Sequence, residues 1–401
     1  MSRPLHIGIL SQPANPHCRK WATGLARAGV QVTVFTLDPK IDIAGVEVVS
    51  LGGGKSYGYR DYWRTRTTLR RVVHQREVTL LHPLHLTPFG SWALWADTGL
   101  PVVAAAMGAD VLDYPPRPLD APFWQGRHWE STGSTSSMRK LQGLVRWAWY
   151  RGHVRQVVRK SLWLTADNDV LRQALIKWFG AEAKKVQLLR WGVDADGATQ
   201  NPAIQQALLK QIGLAEGKPF LLSPRGLKPI YQPDYIRQLA ANYYRAGGTW
   251  PIVILKGPYA VPEAELAAHR ALQNLYPKFR LVETTLSPTE VQQLMWSATA
   301  VLNAPAYDGY SAALAEARFA GCIPVANRIA AHAELFSAQM PALWLEAEPD
   351  PKPLLQLEAM DTATRQAMAT RHQNWIARHS TLEGAVTRFL NRLEAKGFAR
   401  R

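Results

Sequence analysis

Asp308 and Glu316 lie eight positions apart in the segment DGYSAALAE, whose other residues are mostly small. We predict a loop that enters a helix near Ser311 and Ala312. The N-terminus of a helix presents free backbone N–H groups to an anion, and small side chains let a phosphate approach them. A carboxylate one to two turns inside the helix suits the hydroxyl groups of a ribose. The segment therefore indicates a site for a nucleoside diphosphate, although a plain turn and helix cap would have the same pattern.

Basic residues follow two predicted strands in the same half of the chain. Arg225 and Lys228 come after residues 220–223, where together they would neutralise a pyrophosphate. Lys256 and Gly257 come after the next strand, where the glycine would admit a nucleotide close to the backbone. The alternatives are two surface cations in the first case and an ordinary loop in the second.

Short apolar runs alternate with longer helical segments along the whole chain. The predicted strands of the first half are residues 5–10, 31–36, 46–51, 78–81, 101–106, 162–166 and 186–189. Those of the second half are residues 220–223, 252–256, 280–283, 300–303 and 322–326. This alternation is typical of α/β folds, in which helices cover both faces of a parallel sheet.

The polar stretch at 194–202 is the predicted linker between two such domains. We place an N-terminal domain at residues 1–197 and a C-terminal domain at residues 198–381. The last residues, 382–401, contain an amphipathic helix that would pack back on the first domain. Two Rossmann-like domains facing a central cleft would bind ligands at the carboxyl ends of their strands.

The composition is that of a folded and strongly basic protein. The chain has 401 residues, of which 47% are hydrophobic, and a formal net charge of +16. That charge indicates a polyanionic partner: nucleic acid, an anionic membrane surface or phosphorylated substrates. The two cysteines, Cys18 and Cys322, form no disulfide framework or metal-binding pattern, so we expect a reducing cytoplasm. We find no signal-peptide pattern and no apolar run that would span a bilayer, so any membrane contact would be peripheral.

A basic and aromatic segment extends from Met138 to Lys160 and contains no acidic residue. Arg151, Arg155 and Arg159 are four positions apart and would form one stripe of a helix. An apolar stripe on the preceding turns consists of Leu141, Leu144, Val145 and Ala148. The pattern is typical of a helix that binds anionic lipid, and equally of a helix that packs on its domain and exposes a basic face.

Taken in order, these motifs resemble the retaining GT-B glycosyltransferases of the GT4 family (glycosyl transferases group 1). The resemblance rests on Arg225 with Lys228, on Gly-Val-Asp at 192–194, and on the DGYSAALAE segment followed by AGCIP. It implies two Rossmann-like domains, of which the first binds the acceptor and the second binds a nucleotide-sugar donor. It also implies that Glu316 is the second acid of an E-x7-E motif and holds the ribose hydroxyls.

The same resemblance implies roles for the other residues. Asp308 would lie near the donor sugar. Ser311 and Ala312 would meet the donor phosphates through their amides. Arg225 and Lys228 would neutralise the diphosphate leaving group, and fixed cations at that position lower the barrier to breaking a sugar–phosphate bond. We therefore expect a metal-independent enzyme without a cofactor, whose donor is a UDP- or GDP-sugar.

The chain departs from the family pattern at two places. Asp308 stands where the family has Glu, and its side chain is one methylene shorter. The family's His-Gly-x-Asp is here Met107-Gly-Ala-Asp110, so the histidine is absent. Asp110 would contact sugar or acceptor hydroxyls, or would simply cap a helix. His82 and His85 follow another strand and would line the acceptor cleft, although a structural role is commoner for such histidines.

The leading hypothesis is a peripheral cytoplasmic glycosyltransferase, at the inner face of the cell membrane, that acts on a lipid-linked or polysaccharide acceptor. One alternative is another GT-B sugar-nucleotide enzyme, such as an epimerase or a phosphorylase. Another is a basic nucleic-acid-binding protein, but the sequence contains no motif that reads nucleic acid.

Overall fold

The computed structural model describes residues 4–52, 58–120, 137–336, 340 and 342–398. These residues form two compact units. The first unit runs to Trp191 and includes the C-terminal segment from Leu382, and the second unit contains Gly192–Thr381. The predicted boundary after residue 197 lies inside the second unit, because the two units divide between Trp191 and Gly192.

Backbone pairing within the second unit explains the position of this boundary. Val193 and Thr381 form a parallel bridge, and the N–H of Val193 donates to the carbonyl oxygen of Ser380 over 2.8 Å. Gly192 has a φ of +67°, and a Cβ there would lie 2.4 Å from the same oxygen. The segment RWGVD therefore requires its glycine, because another stretch of backbone lies directly against it.

Parallel strands form the sheet structure of the first unit. They are β1 (His6–Leu10), β2 (Gln31–Thr36), β3 (Glu47–Ser50), β4 (Leu80–Pro83), β5 (Val103–Ala106), β6 (Trp163–Ala166) and β7 (Val186–Leu188). One sheet has the order β3-β2-β1-β4 and another has the order β5-β6-β7. Two parallel bridges, Leu81–Val102 and Leu84–Ala105, link the two sheets. All residues of β1 and β5 are buried, as expected for a parallel sheet covered on both faces.

Helices surround these strands. They are α1 (Pro16–Arg27), α2 (Tyr59–Gln75), α3 (Ser91–Ala96), α4 (Ala109–Leu112), α5 (Ser137–Lys160) and α6 (Asp169–Phe179). Local sequence sets their ends: α1 begins with Pro16 after Asn15, whose side chain accepts from the N–H of His17 over 2.9 Å. Likewise, α6 ends at Gly180, which has a left-handed conformation.

The three arginines of the predicted stripe on helix α5 do not all face solvent. Arg151 is buried, and its guanidinium group donates to the carbonyl oxygens of Tyr114 and Trp178 over 2.5 and 2.9 Å. Arg155 and Arg159 are exposed. The predicted basic stripe is therefore divided: its first member is a structural residue, and only the later two face solvent.

The second unit contains one parallel sheet of six strands, in the order β10-β9-β8-β11-β12-β13. The strands are β8 (Leu221–Ser223), β9 (Ile252–Leu255), β10 (Phe279–Val282), β11 (Ala300–Asn303), β12 (Ile323–Asn327) and β13 (Leu343–Leu345). Strand β13 has three residues, lies at the edge of the sheet and was not among the predicted strands.

The helices of this unit are α7 (Pro202–Gln211), α8 (Pro233–Arg245), α9 (Glu263–Leu275), α10 (Pro288–Ser297), α11 (Ala312–Phe319), α12 (Ala330–Ala333), α13 (Lys352–Ala359) and α14 (Thr362–His379). At α10 the side chain of Ser287 accepts from the N–H of Glu290, and the carboxylate of Glu290 accepts from the N–H of Ser287. This capping box sets the start of α10, and Ser-Pro-Thr-Glu at 287–290 is its sequence pattern.

The last helix, α15 (Leu382–Glu394), belongs to the first unit. Its Phe389 packs against Trp21 and His82, and Leu382 lies against Gly24 of α1. In the described ranges, every helix is too short or too polar to span a lipid bilayer.

Candidate functional site

Arg225, Asp308 and Ser311 form a largely buried cluster in the second unit. Arg225 lies in the loop after β8, and the other two lie between β11 and α11. The guanidinium group of Arg225 donates to both carboxylate oxygens of Asp308, with an Nη2–Oδ1 distance of 3.4 Å. Its Nη1 also donates to the Oγ of Ser311 over 3.0 Å. The side chains of Arg225 and Asp308 are only 16% and 12% exposed.

The surroundings of Arg225 keep it charged. Burial lowers the pKa of the guanidinium, but the charge of Asp308 and hydrogen bonds with Asp308 and Tyr231 raise it, and the net shift is upward. Arg225 is therefore a permanent cation, and the two-point contact with Asp308 fixes the orientation of its plane.

Two tyrosines that were not among the predicted site residues lie against the basic residues. Arg225 lies 4.3 Å from the ring centre of Tyr231, and the Nζ of Lys228 lies 3.6 Å from that of Tyr259. Burial raises the pKa of the Tyr259 phenol, so the ring stays uncharged. These cation–π contacts restrict where both cations point. The sequence signal for these contacts is an aromatic residue that follows each basic loop by a few positions.

Glycines allow the loops after β8 and β9 to pack against each other. The N–H of Leu227 donates to the carbonyl oxygen of Lys256 over 3.2 Å. Gly226 has a φ of +80°, and a Cβ there would lie 2.8 Å from that oxygen and 3.2 Å from the Cα of Gly257. The backbone carrying Lys256 and Gly257 is thereby held beside the loop of Arg225 and Lys228.

A polar network behind Ser311 was also missed. The Nδ2 of Asn303 lies 2.8 Å from the Oγ of Ser311 and 3.2 Å from the Nε2 of His332. The Nδ1 of His332 lies 2.9 Å from the carbonyl oxygen of Asn327. A neutral His332 with its proton on Nδ1 satisfies both contacts, and burial accordingly lowers the pKa of this residue. The network fixes Ser311 at the start of α11.

Helix α11 is held in place by the buried Arg318. Its Nη1 donates to the carbonyl oxygen of Leu335 over 2.9 Å, and its guanidinium group lies 4.8 and 4.9 Å from the rings of Phe336 and Trp375. Glu316 lies on the same helix and is partly buried. The position of the Glu316 backbone relative to Ser311 is therefore set by a rigid helix, with Ala312 at its first position.

Asp110, in the first unit, has the geometry of a structural residue. It is buried, and its two carboxylate oxygens accept hydrogen bonds from the backbone N–H groups of Leu86 and Met107, over 2.7 and 3.0 Å. It therefore ties the loop after β4 to the loop after β5. This arrangement favours a structural role over a contact with sugar or acceptor hydroxyls. That role is to join two loops and not to cap α4, whose N-cap residue is Gly108.

Replacing Asp110 by alanine should lower the free energy of unfolding by about 2–4 kcal/mol, because two buried backbone N–H groups lose their acceptor. Urea denaturation would measure the change, with Asp42→Ala as the control for an exposed carboxylate. A variant that keeps its stability but loses activity would instead favour the contact with substrate.

The two histidines after β4 have different environments. His82 is fully buried, with its Nδ1 2.5 Å from the carbonyl oxygen of Val103, and burial lowers its pKa to about 4. It is a structural histidine. His85 is half-buried and has a φ of +92°, which is strained for a residue with a side chain. Because His85 lies at the carboxyl end of β4, it is the one of the pair that a substrate could reach.

Solved structures with the same architecture include a glycosyltransferase from Rickettsia africae, at 10% identity and a TM-score of 0.72, with 97% of each chain covered. Sucrose-phosphate synthase from Thermosynechococcus elongatus is 13% identical with a TM-score of 0.75, over 98% of this chain and 99% of that one. Alr3699/HepE of Anabaena, solved with UDP and glucose, is 15% identical with a TM-score of 0.68, over 98% and 100%. A comparison with curated protein sequences found no match.

These structures and this chain share the GT-B fold. Residues 14–196 match the model of Glycosyltransferase Family 4, so the protein is a glycosyltransferase, and the match confirms the resemblance inferred from the sequence motifs. That match covers much of the first unit, whereas the motifs that suggested the family lie mostly in the second.

Proposed function

We propose that the protein is a metal-independent, retaining glycosyltransferase that moves a sugar from a UDP- or GDP-sugar to a lipid-linked or polysaccharide acceptor. The observation that carries the proposal is the buried cluster of Arg225, Asp308 and Ser311 at the N-terminus of α11. A structural neighbour, Alr3699/HepE, was solved with UDP-glucose, which supports a donor of this class.

The basic residues act on the leaving group. In the reaction the acceptor oxygen bonds to the anomeric carbon, and the sugar–phosphate bond breaks with its electron pair going to the diphosphate. The hydroxyl proton passes to the departing phosphate oxygen. Arg225 and Lys228 stabilise the negative charge that develops there, and their tyrosine contacts hold them in place beforehand. Lys256 and Gly257 border the same loop and approach the nucleotide.

The acidic residues have separate tasks. Glu316 accepts hydrogen bonds from the ribose hydroxyls. The short side chain of Asp308 holds Arg225, so we assign it a positioning role in place of the direct sugar contact that the family resemblance implied. Ser311 and Ala312 are suited to bind the phosphates of the nucleotide sugar. The Oγ of Ser311 accepts hydrogen bonds from both Arg225 and Asn303, so its own hydroxyl proton is directed to a third partner. A phosphate oxygen of the nucleotide sugar suits that position. The amide of Ala312 lies at the helix N-terminus, where anions are stabilised.

Donor hydrolysis should continue in the presence of EDTA, because the two cations take the place of a divalent metal at the diphosphate. The test is first a thermal-shift screen of the purified protein against UDP- and GDP-sugars, then initial hydrolysis rates with and without chelator. Activity that disappears in EDTA and returns with Mg²⁺ would disprove the metal-free mechanism. Product analysis would separate transfer from epimerisation or phosphorolysis.

A further inference from the structure

Exposed apolar side chains are concentrated on one surface of the first unit. In the part of the chain that the structure describes, seven large hydrophobic side chains are exposed, and five of them lie on α5 or α2. These five are Trp63, Leu141, Leu144, Val145 and Trp149, and we call them the α2–α5 surface. Scattered exposed hydrophobic residues need no explanation, but a cluster marks a site of interaction.

Aromatic contacts hold this surface together across the two helices. The ring of Tyr59 on α2 lies 4.2 Å from that of Trp149 on α5. Trp95 of α3 lies 5.9 Å from Tyr59 and 5.5 Å from Trp63. The two exposed tryptophans therefore extend from one packed cluster of rings, and the surface is preorganised.

Helix periodicity explains why α5 exposes both apolar and basic residues. The buried face of α5 contains Arg151, Val154 and Val158. Leu141, Val145 and Trp149 are four positions apart on the exposed face. Arg155 and Arg159, a separate pair four positions apart, are exposed on the same side further along the helix. The exposed face is thus apolar in its N-terminal half and basic in its C-terminal half.

Basic side chains predominate around the surface, with Asp61 of α2 as an acidic exception. Arg60 and Arg64 of α2 are exposed, as are Arg146 and Lys160 of α5, and α5 contains no acidic residue. Arg66 lies 4.0 Å from the ring centre of Trp63. A two-fold contact between copies would bring these basic residues together, which opposes a dimer through this surface. An anionic lipid headgroup complements them instead.

We infer that the α2–α5 surface docks the protein on a bilayer rich in anionic lipid. Tryptophan, leucine and valine side chains enter the interfacial layer, and the arginines contact lipid phosphates. This differs from an electrostatic anchor along one arginine stripe, because Arg151 is buried and apolar side chains make the contact. The purpose of this docking rests on the proposed function, because an enzyme held at the bilayer would act on a lipid-linked acceptor.

Flotation with vesicles of phosphatidylglycerol and phosphatidylcholine tests the docking. The full-length protein should bind the anionic vesicles, bind neutral vesicles at least about tenfold more weakly, and lose affinity in high salt. The double variant Leu141→Glu/Val145→Glu should lower the partition coefficient by at least about tenfold. Leu275→Glu, a matched change at an exposed leucine of the second unit, should not. Equal binding by both variants, or no binding by the wild type, would overturn the inference.

A fluorescence measurement keeps the test decisive if the double variant misfolds. Val145→Cys can be labelled selectively with an environment-sensitive dye, because both native cysteines are buried. The dye should shift to the blue on anionic vesicles, whereas a dye at Leu275→Cys should not. If light scattering showed a dimer that is lost when the α2–α5 surface is substituted, the surface would be a contact with a second copy of the chain. Hydrolysis of the nucleotide sugar is measured in parallel without vesicles. Hydrolysis without vesicle binding would contradict the docking alone, whereas absence of hydrolysis would contradict the proposed function.

Discussion

Arg225→Ala should lower kcat for sugar transfer by about 10²–10³-fold, the loss expected when one preorganised group that stabilises transition-state charge is removed. The cation is already charged and oriented before substrate arrives, through its contacts with Asp308 and Tyr231. The developing charge on the diphosphate therefore meets a group that needs no rearrangement. Initial rates of donor hydrolysis and of transfer would measure the effect, and Arg225→Lys should recover only part of it, because Lys cannot form the two-point contact.

Arg237→Ala is the matched control. Arg237 also pairs with a carboxylate of the second unit, Asp234, but as an i,i+3 pair on the surface of α8. Its removal should leave kcat within about twofold, since exposed ion pairs contribute little. A similar loss in both variants would mean that Arg225 acts through the stability of the unit.

A double-mutant cycle separates the two roles considered for Asp308. If Asp308 acts through Arg225, Asp308→Asn should change the affinity for the nucleoside diphosphate and for the nucleotide sugar by the same factor. It should also add little to Arg225→Ala. If Asp308 contacts the sugar, only the nucleotide-sugar affinity should fall. Isothermal titration with both ligands distinguishes these outcomes.

The sequence predicted those features of the fold that depend on local pattern. Gln31–Thr36 and Ala300–Asn303 were predicted with their observed bounds, because apolar runs between turn residues signal buried strands. The start of α10 is a local feature of the same kind, because its capping box lies within four residues. Leu343–Leu345 is too short for such a signal, since three residues carry no recognisable period.

Features that depend on contacts between distant segments were not predictable. Asn303 and His332 join the cluster around Ser311 only because β11, α11 and α12 meet in space. Arg151 is buried because two backbone carbonyl groups approach it, whereas periodicity gives the faces of α5 but not their partners. Arg225 and Asp308 were both singled out from the sequence, but their ion pair was not, since it spans 83 positions of the chain.

Glu316→Ala should weaken binding of the nucleoside diphosphate by about 10–100-fold, because hydrogen bonds to a charged group contribute about 1.5–3 kcal/mol. The effect should fall on affinity more than on kcat, since the ribose lies away from the bond that breaks. Isothermal titration with UDP and GDP would measure it. Glu348→Ala, which removes an exposed carboxylate of the same unit, should leave binding unchanged.

A deoxyribose analogue makes this prediction specific to the hydroxyl groups. The 2′,3′-dideoxy nucleoside diphosphate should bind wild type and Glu316→Ala with the same affinity, because the partner of the carboxylate is then missing from both complexes. Glu316→Gln should retain part of the affinity for the ribonucleotide, since its amide oxygen still accepts a hydrogen bond but carries no charge. If the dideoxy compound also lost affinity in Glu316→Ala, the carboxylate would be acting on the phosphates or on the shape of α11. Because Arg318 holds that helix through its contacts with Leu335 and Trp375, we expect the cycle to assign the loss to the ribose.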